Sequence, residues 1–349
     1  MRKGYITIRS SAMSLSVQLH KRLILLFLVL LAVVAGSMVV STGIGDMYIN
    51  PLDVWKAVLG QGLPDHILVV QTLRLPRIVI AIMVGASLGV AGAMMQSIIR
   101  NPLAAPDLIG VTGGASLAAV TFLTYLPGLY SIHLLPVAAM IGAVAASALI
   151  YMLAWKRGVA PVRLVLVGIG ISALISSLTT MLIVMSPTIY AASSAYLWIT
   201  GTIYGTSWDN VLSLLPWTTV FLLLAVLSVR ELNIHQLGDD IAAGTGSAVQ
   251  RKRLLLLGIC VILAGSAVSM AGPIGFVGLL APHMARRLAG PSAGSMLPIA
   301  GLLGGLIVLL ADLVGRTAFL PHDIPVGVFT AGIGAPFFIY LLYRTRNAR

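Results

Sequence analysis

Charge is what this sequence has least of. Of its 349 residues, 9% are Asp, Glu, Lys or Arg, and only ten of those are acids; a soluble domain carries about 25% charged residues. Cysteine is almost absent. The single Cys260 lies inside an apolar run, which excludes a disulfide framework and a cysteine metal site. There is no GxxxxGK[ST] phosphate loop, so the chain cannot use ATP by that device. No nucleophile–base pair or metal-ligand spacing stands out, and neither an enzyme nor a resident cofactor is expected. What is plentiful is apolar: 58% of residues are hydrophobic and the mean hydropathy is +1.01. The chain is therefore expected in a bilayer. Its net charge of +12 would suggest nucleic acid in a soluble protein, but here the placement of charge matters more, and no nucleic-acid partner is expected.

A helix needs about 20 apolar residues to cross the hydrocarbon core. Runs of that kind predict ten spans, near 22–41, 76–98, 108–127, 134–154, 162–185, 211–229, 254–271, 273–289, 297–315 and 326–343. The eighth is short and holds Pro282, His283 and two arginines. The first apolar run is too long for a signal-peptide core and is read as a retained span. Orientation follows from lysine and arginine in the connections. With the N-terminus inside, Arg2, Lys3, Arg9, Lys21, Arg22, Arg100, Lys156, Arg157, Arg163, Arg230, Arg251, Lys252, Arg253, Arg286, Arg287, Arg344, Arg346 and Arg349 all fall inside. Only Lys56, Arg74, Arg77 and Arg316 fall outside. The expected fold is an all-α polytopic membrane protein with both termini cytoplasmic: a tail 1–21, one permease domain 22–345 and a tail 346–349.

The longest polar island in the C-terminal two-thirds is 230–253, with Glu231, Asp239 and Asp240 followed by the basic trio Arg251–Arg253. Gly238 before two aspartates predicts a break and a capped helix start. AAGTG then predicts a turn before a second short helix. Such a helix–turn–helix on the inner surface suits pressure from a soluble partner; an ordinary solvated loop is the alternative. On the outer side, a short interfacial helix is expected near Pro51–Leu59, an aromatic belt at Trp198, Tyr204 and Trp208, and a re-entrant turn over 316–325. Asp312 is the one acid expected within a span, and its spacing from Arg316 suits an ion pair. The outward arginines Arg74, Arg77 and Arg316 call for compensation by lipid headgroups, by Asp312 or by an acidic partner. Gly85 and Gly89, Gly110 and Gly114, and Gly301 and Gly305 sit four apart, the spacing of close helix contact in lipid. Glycine and proline over 272–282 allow a broken helix. Met83, Met94, Met95 and Met270 could line a path or fill the core.

Seven blocks resemble the FecCD family of permeases: RLPR at 74–77, GASLGVAGAMMQ at 85–96, NPLAAPDLIG at 101–110, LGDD at 237–240, GPIGFVGLLAPHMARRLAG at 272–290, AD at 311–312 and IPVGVFTAGIGAPFF at 324–338. The resemblance covers about 22–345 and implies the membrane subunit of an ATP-driven importer of ferric siderophores in the bacterial cytoplasmic membrane. It implies a second permease subunit, identical or paralogous, two cytoplasmic ATPase subunits and an extracytoplasmic binding protein. It assigns the ATPase contact to Leu237, Gly238, Asp239, Asp240, Ala243 and Gly246 with Asn101 and Pro102. It assigns docking of the binding protein to Arg74, Arg77 and Arg316. At the inner gate, where the family can carry small hydroxyl residues, this chain has Ala160, Pro161 and Val162. The alternatives are cobalamin or haem on the same machinery, or an ion-coupled secondary transporter, which the shortage of mid-span acids disfavours.

Overall fold

The computed structural model describes residues 5–10, 15–127, 129–156 and 158–346. Arg2, Lys3, Arg157 and Arg349, used above for orientation, lie outside the described residues, as do 347–349 of the expected C-terminal tail. A two-stranded antiparallel hairpin, β1 (Tyr5–Ser10) and β2 (Leu15–His20), opens the chain where a plain tail was expected, with Tyr5 opposite His20. All other regular structure described is helical.

The helices run α1 (Lys21–Gly43), α2 (Pro51–Val58), α3 (Pro64–Leu68), α4 (Leu75–Ile99), α5 (Val111–Tyr125), α6 (Leu135–Ala154), α7 (Pro161–Val184) and α8 (Ile189–Ile199). They continue with α9 (Trp208–Leu227), α10 (Val229–Gln236), α11 (Asp239–Gly244), α12 (Val249–Ala271), α13 (Val277–Ala289), α14 (Ala293–Thr317) and α15 (Val326–Arg346). Seven of the described helical stretches are long and apolar enough to cross a membrane, and α5 and the apolar part of α15 are shorter. With α13 these account for each span read from hydropathy. The interfacial helix expected near Pro51 is α2, opened by Asn50, whose side chain accepts from the Leu52 amide.

Helix α4 is the axis of the bundle, packed against α12, α13 and α14. Most of its residues are buried, whereas α1 is largely exposed along its length. Burial in α4 is possible because its glycines remove side chains where other backbones cross. A Cβ on Gly85 would collide with the Gly304 carbonyl, on Gly89 with that of Ala300, and on Gly92 with that of Gly278. Backbones so close gain dispersion along their whole contact, which drives association where no hydrophobic effect operates. Above α4, a π-helical stretch (Val69–Arg74) lets Leu75 N–H reach the Val70 carbonyl. Proline at 76 has no N–H and crowds the preceding turn, which accounts for the wider coil.

The eighth span is broken. Residues 272–276 are not helical, with positive φ at Gly272 (67°) and Phe276 (66°), and only then does α13 begin. Thirteen helical residues rise about 20 Å, so the non-helical leg completes the crossing. The backbone beside this break is satisfied by neighbours, as lipid requires: Thr202 N–H donates to the Ala271 carbonyl at 2.8 Å and Gly327 N–H to that of Gly201 at 3.0 Å.

The segment after α4 turns back into the protein. Asn101 and Pro102 are exposed at the inner surface, whereas Ala104, Ala105 and Pro106 are buried. Pro106 and Leu88 both lie against Gly278. Leu88 is eleven residues from the inner end of α4, a depth of about 16 Å. Asp107 is therefore a second acid within the membrane, contrary to the expectation that Asp312 stands alone; re-entry of 103–110 is a tertiary event that hydropathy does not register.

Substituting Leu for Gly92 should wedge α13 off α4 and destabilise by about 1–3 kcal/mol or more through overpacking, seen as a lowered thermal midpoint in detergent. Gly258, with nothing near its would-be Cβ, should accept the same change.

Candidate functional site

Three places combine polar side chains with positions that a transporter would use: the outer end, a cavity below it and the inner loop.

At the outer end, Arg74, Arg77 and Arg316 come together, but not as an exposed patch. Arg74 donates to the carbonyls of Thr42 and Met47 at 2.6 Å each. Arg77 lies 2.7 Å from Asp312 and grips Asp323 with both terminal nitrogens at 2.5 and 2.8 Å. Its guanidinium also stands 5.8 Å from the Tyr204 ring. Arg316 is 3.7 Å from Asp312 and donates to the carbonyl of Ser41. The Arg77 and Arg316 side chains are only 11% and 10% exposed. The compensation sought for these cations is thus internal, and Arg77 rather than Arg316 is the nearer partner of Asp312. The network ties α1, α4, α14 and the 318–325 turn into one outer clamp.

Towards the outer side, a cavity of about 280 Å³ lies between α5, α7, α8 and Pro273. Six hydroxyls line it: Thr112, Ser116, Ser176, Thr179, Thr180 and Tyr196. Thr112 also donates to the Asp107 carboxylate, which is in no ion pair among the described residues. A hydroxyl wall at this depth is costly against hydrocarbon, so it suits water, cargo or another subunit. Sequence reasoning missed this wall; the available signal was the run of hydroxyl residues along one apolar span, 172 to 180. The four methionines offered for the lining do not supply it. Met83, Met94 and Met95 are buried in the α4 core and Met270 packs against that core, because α4 is enclosed on several sides.

At the inner surface, α11 stands off the bundle on α10 and the start of α12. Leu237, Asp240, Ile241, Ala243 and Gly246 are exposed, with Leu237 and Ile241 at 59% and 55%. Asn101 and Pro102 are also exposed beside Arg100, whose guanidinium reaches Gly238 and Asp239. The break at Gly238 (φ 108°) is as expected, but neither aspartate caps α11. Asp239 instead receives Arg253 at 2.7 Å and Arg100 at 3.3 Å. The second helix is not short either: Arg251–Arg253 begin the long α12. Glu231 pairs with Lys252 at 3.4 Å, closing the loop. Burial works to raise the Asp239 pKa, but the Arg253 hydrogen bond and the charges of Arg253, Arg100 and His235 outweigh it and hold the carboxyl below its ordinary value.

This geometry, a polytopic bundle with a broken span, a hydroxyl-lined cavity and a protruding inner helix, meets the comparisons with known proteins. The FecCD transport family profile matches residues 16–344. The chain belongs to the FecCD transport family. It is 47% identical over 94% of its length to YfhA of Bacillus subtilis (strain 168), assigned to a siderophore transport system, covering 97% of that protein. It is 45% identical to the achromobactin permease protein CbrC of Dickeya dadantii (strain 3937), over 91% of this chain and 90% of CbrC. Among solved structures, a chain described as an inward-facing metal-chelate type ABC transporter superposes with TM-score 0.83 at 29% identity, covering 91% of this chain and 99% of that one. The FecCD chain is thus a multi-pass membrane transport protein and not itself an enzyme. Among its described residues no group of His, Cys, Asp or Glu could hold a metal ion.

Two outcomes are expected. Asp312→Ala strands the buried Arg77 and Arg316 cations and should cost about 3–5 kcal/mol, read as a lower unfolding midpoint in detergent; Asp323→Ala, whose side chain is 24% exposed, should cost less. The Asp239 tie adds stability above the ordinary carboxylate pKa of about 3.9 and loses it only as pH falls through the depressed folded value. Hydrogen exchange over 237–246, corrected for intrinsic rates, should be unchanged from pH 8 to 5 and rise only below about pH 4.

Proposed function

We propose that this chain is the membrane subunit of an ATP-driven importer that carries ferric siderophores across the bacterial cytoplasmic membrane. The observation that carries the reading is the inner helix α11. Its Ile241 and Leu237, two residues before its start, form an apolar pair beside Asp240 on a surface otherwise basic and polar. Exposed apolar side chains rimmed by polar ones suit a protein contact, and a chain with no phosphate loop needs an external ATPase. Two such ATPases below, a second permease subunit beside α5 and α7, and a binding protein above complete the machine. The permease partner closes the hydroxyl cavity into a path: about 280 Å³ is half a wall for a bulky chelate. Serine, threonine and tyrosine hydroxyls both donate and accept, so they replace water around the oxygen-rich rim of a chelate without binding its iron.

The binding protein docks over the outer mouth. Arg74, Arg77 and Arg316 act there by holding the outer loops in place, since each spends its donors on backbone carbonyls or on Asp312 and Asp323. They form the floor of the contact, and the exposed residues above them make it.

Leu237→Asp with Ile241→Asp should abolish co-purification of the ATPase subunit and ATP-dependent uptake of ferric siderophore, while the bundle keeps its thermal midpoint. Retention of the ATPase by this variant would overturn the assignment of α11. Accumulation of chelate by the purified chain alone, driven by a proton gradient without nucleotide, would overturn the ATP-driven reading.

A further inference from the structure

The inner loop holds one arrangement that the transport reading does not absorb. Asp239 belongs to the helix offered to the ATPase, yet its carboxylate turns inward. Its Oδ1 accepts from Arg253 Nη2 at 2.7 Å. Arg253 is 1% exposed, and its other terminal nitrogen, Nη1, donates to the carbonyl of Val159 at 2.6 Å. One turn earlier in α12, Gln250 Oε1 accepts from the Val159 N–H at 3.0 Å. Both backbone groups of Val159 are therefore held by α12, and one buried guanidinium grips the coupling helix and Val159 together.

Val159 sits at a mechanically sensitive place. It is two residues before Pro161, the first residue of α7. The loop around it is tight: Trp155 bridges to Val159, Lys156 N–H donates to the Gly158 carbonyl, and Gly158 adopts φ 123° with Gln250 packed on it. The Val159 side chain is fully buried. A displacement delivered to such a loop passes to α7 and is not dissipated in slack. Helix α7 in turn carries Ser176, Thr179 and Thr180 of the cavity wall. The bonds at both ends of Arg253 are charge-assisted or short, the stiffest hydrogen bonds a protein has.

We propose that Asp239 is a positioning residue that relays movement of α11 through Arg253 to the backbone of Val159, and so moves α7 and the cavity wall. The carboxylate does not bind the ATPase; Leu237 and Ile241 receive the push and Asp239 transmits it. Arg100, also on Asp239 at 3.3 Å, is a second branch that leads to the end of α4. The relay rests on the proposed function, because it needs an ATPase to move α11.

The test uses the whole assembly, permease with ATPase and binding protein, in lipid nanodiscs and in proteoliposomes. A cysteine at Val162, which is 71% exposed at the start of α7, reports movement through its rate of thiol labelling with and without ATP. In the wild-type background, ATP should change that rate and drive uptake. With Asp239→Ala, the ATPase should remain bound at full stoichiometry, transport per ATP should fall about tenfold, and the labelling change at position 162 should vanish. Asp239→Asn keeps the size and an acceptor for Arg253 and should give an intermediate loss, which separates the relay from misfolding. Leu237→Asp with Ile241→Asp serves as the contrast, losing the ATPase itself. Loss of the ATPase from Asp239→Ala, unchanged transport per ATP, or a labelling change that survives would each overturn the relay. If the wild-type assembly binds no ATPase or transports nothing with ATP, the proposed function fails first and the relay falls with it.

Discussion

Close backbone contact along α4 is the interaction on which the rest depends. In lipid there is no hydrophobic gain from helix association, so packing contacts must supply it. Gly85, Gly89 and Gly92 let α4 meet α14 and α13 at backbone distance, and that contact fixes everything built around it. The broken eighth span is held at its turning point because Gly278 rests on Gly92. The re-entrant 103–110 segment is held in turn because Pro106 rests on Gly278. A side chain in this column would displace the outer clamp, the cavity edge and the inner loop alike.

Two polar clusters then grip the ends of the bundle, and they differ in kind. The outer one is buried: Asp312 between Arg77 and Arg316, with Asp323 completing the Arg77 contacts. Breaking a buried set of charges is expensive, so this end behaves as a fixed rim. The inner one is half exposed, with Asp239 between Arg253 and Arg100. Only the Arg100 pair is open to solvent at both partners, and such pairs contribute little, about 0–1 kcal/mol; it can part without unfolding the bundle while the buried Arg253 keeps its hold on Asp239. A rigid rim and a movable loop suit a protein displaced from its inner face.

The cavity lies between these ends and is made by α5, α7 and α8 with Pro273. Its wall is neutral and hydroxylated, with Asp107 at one edge. Its serine and threonine hydroxyls donate and accept hydrogen bonds, which suits the polar outside of a chelate.

Hydropathy runs located every span that the structure shows, because a transmembrane helix must satisfy its own backbone and so announces itself locally. Four-residue glycine spacing pointed to the packing column for the same reason, since it is a property of one helix face. The protruding inner loop was legible from an isolated polar island, whereas Leu237 was singled out only by the family resemblance. Three-dimensional packing alone decided the partners of the charges. Arg77 and Asp312 are 235 residues apart and Arg253 and Val159 are 94 apart, and no periodicity links such positions. It also decided that Met94 and Met95 are core while Ser176 and Thr180 face a cavity, because a helix apolar on all sides gives no sign of which face a neighbour will cover. Sequence determined which segments cross the membrane and which way they run; tertiary structure determined which side chains meet, because burial and pairing belong to neighbours brought together only by folding.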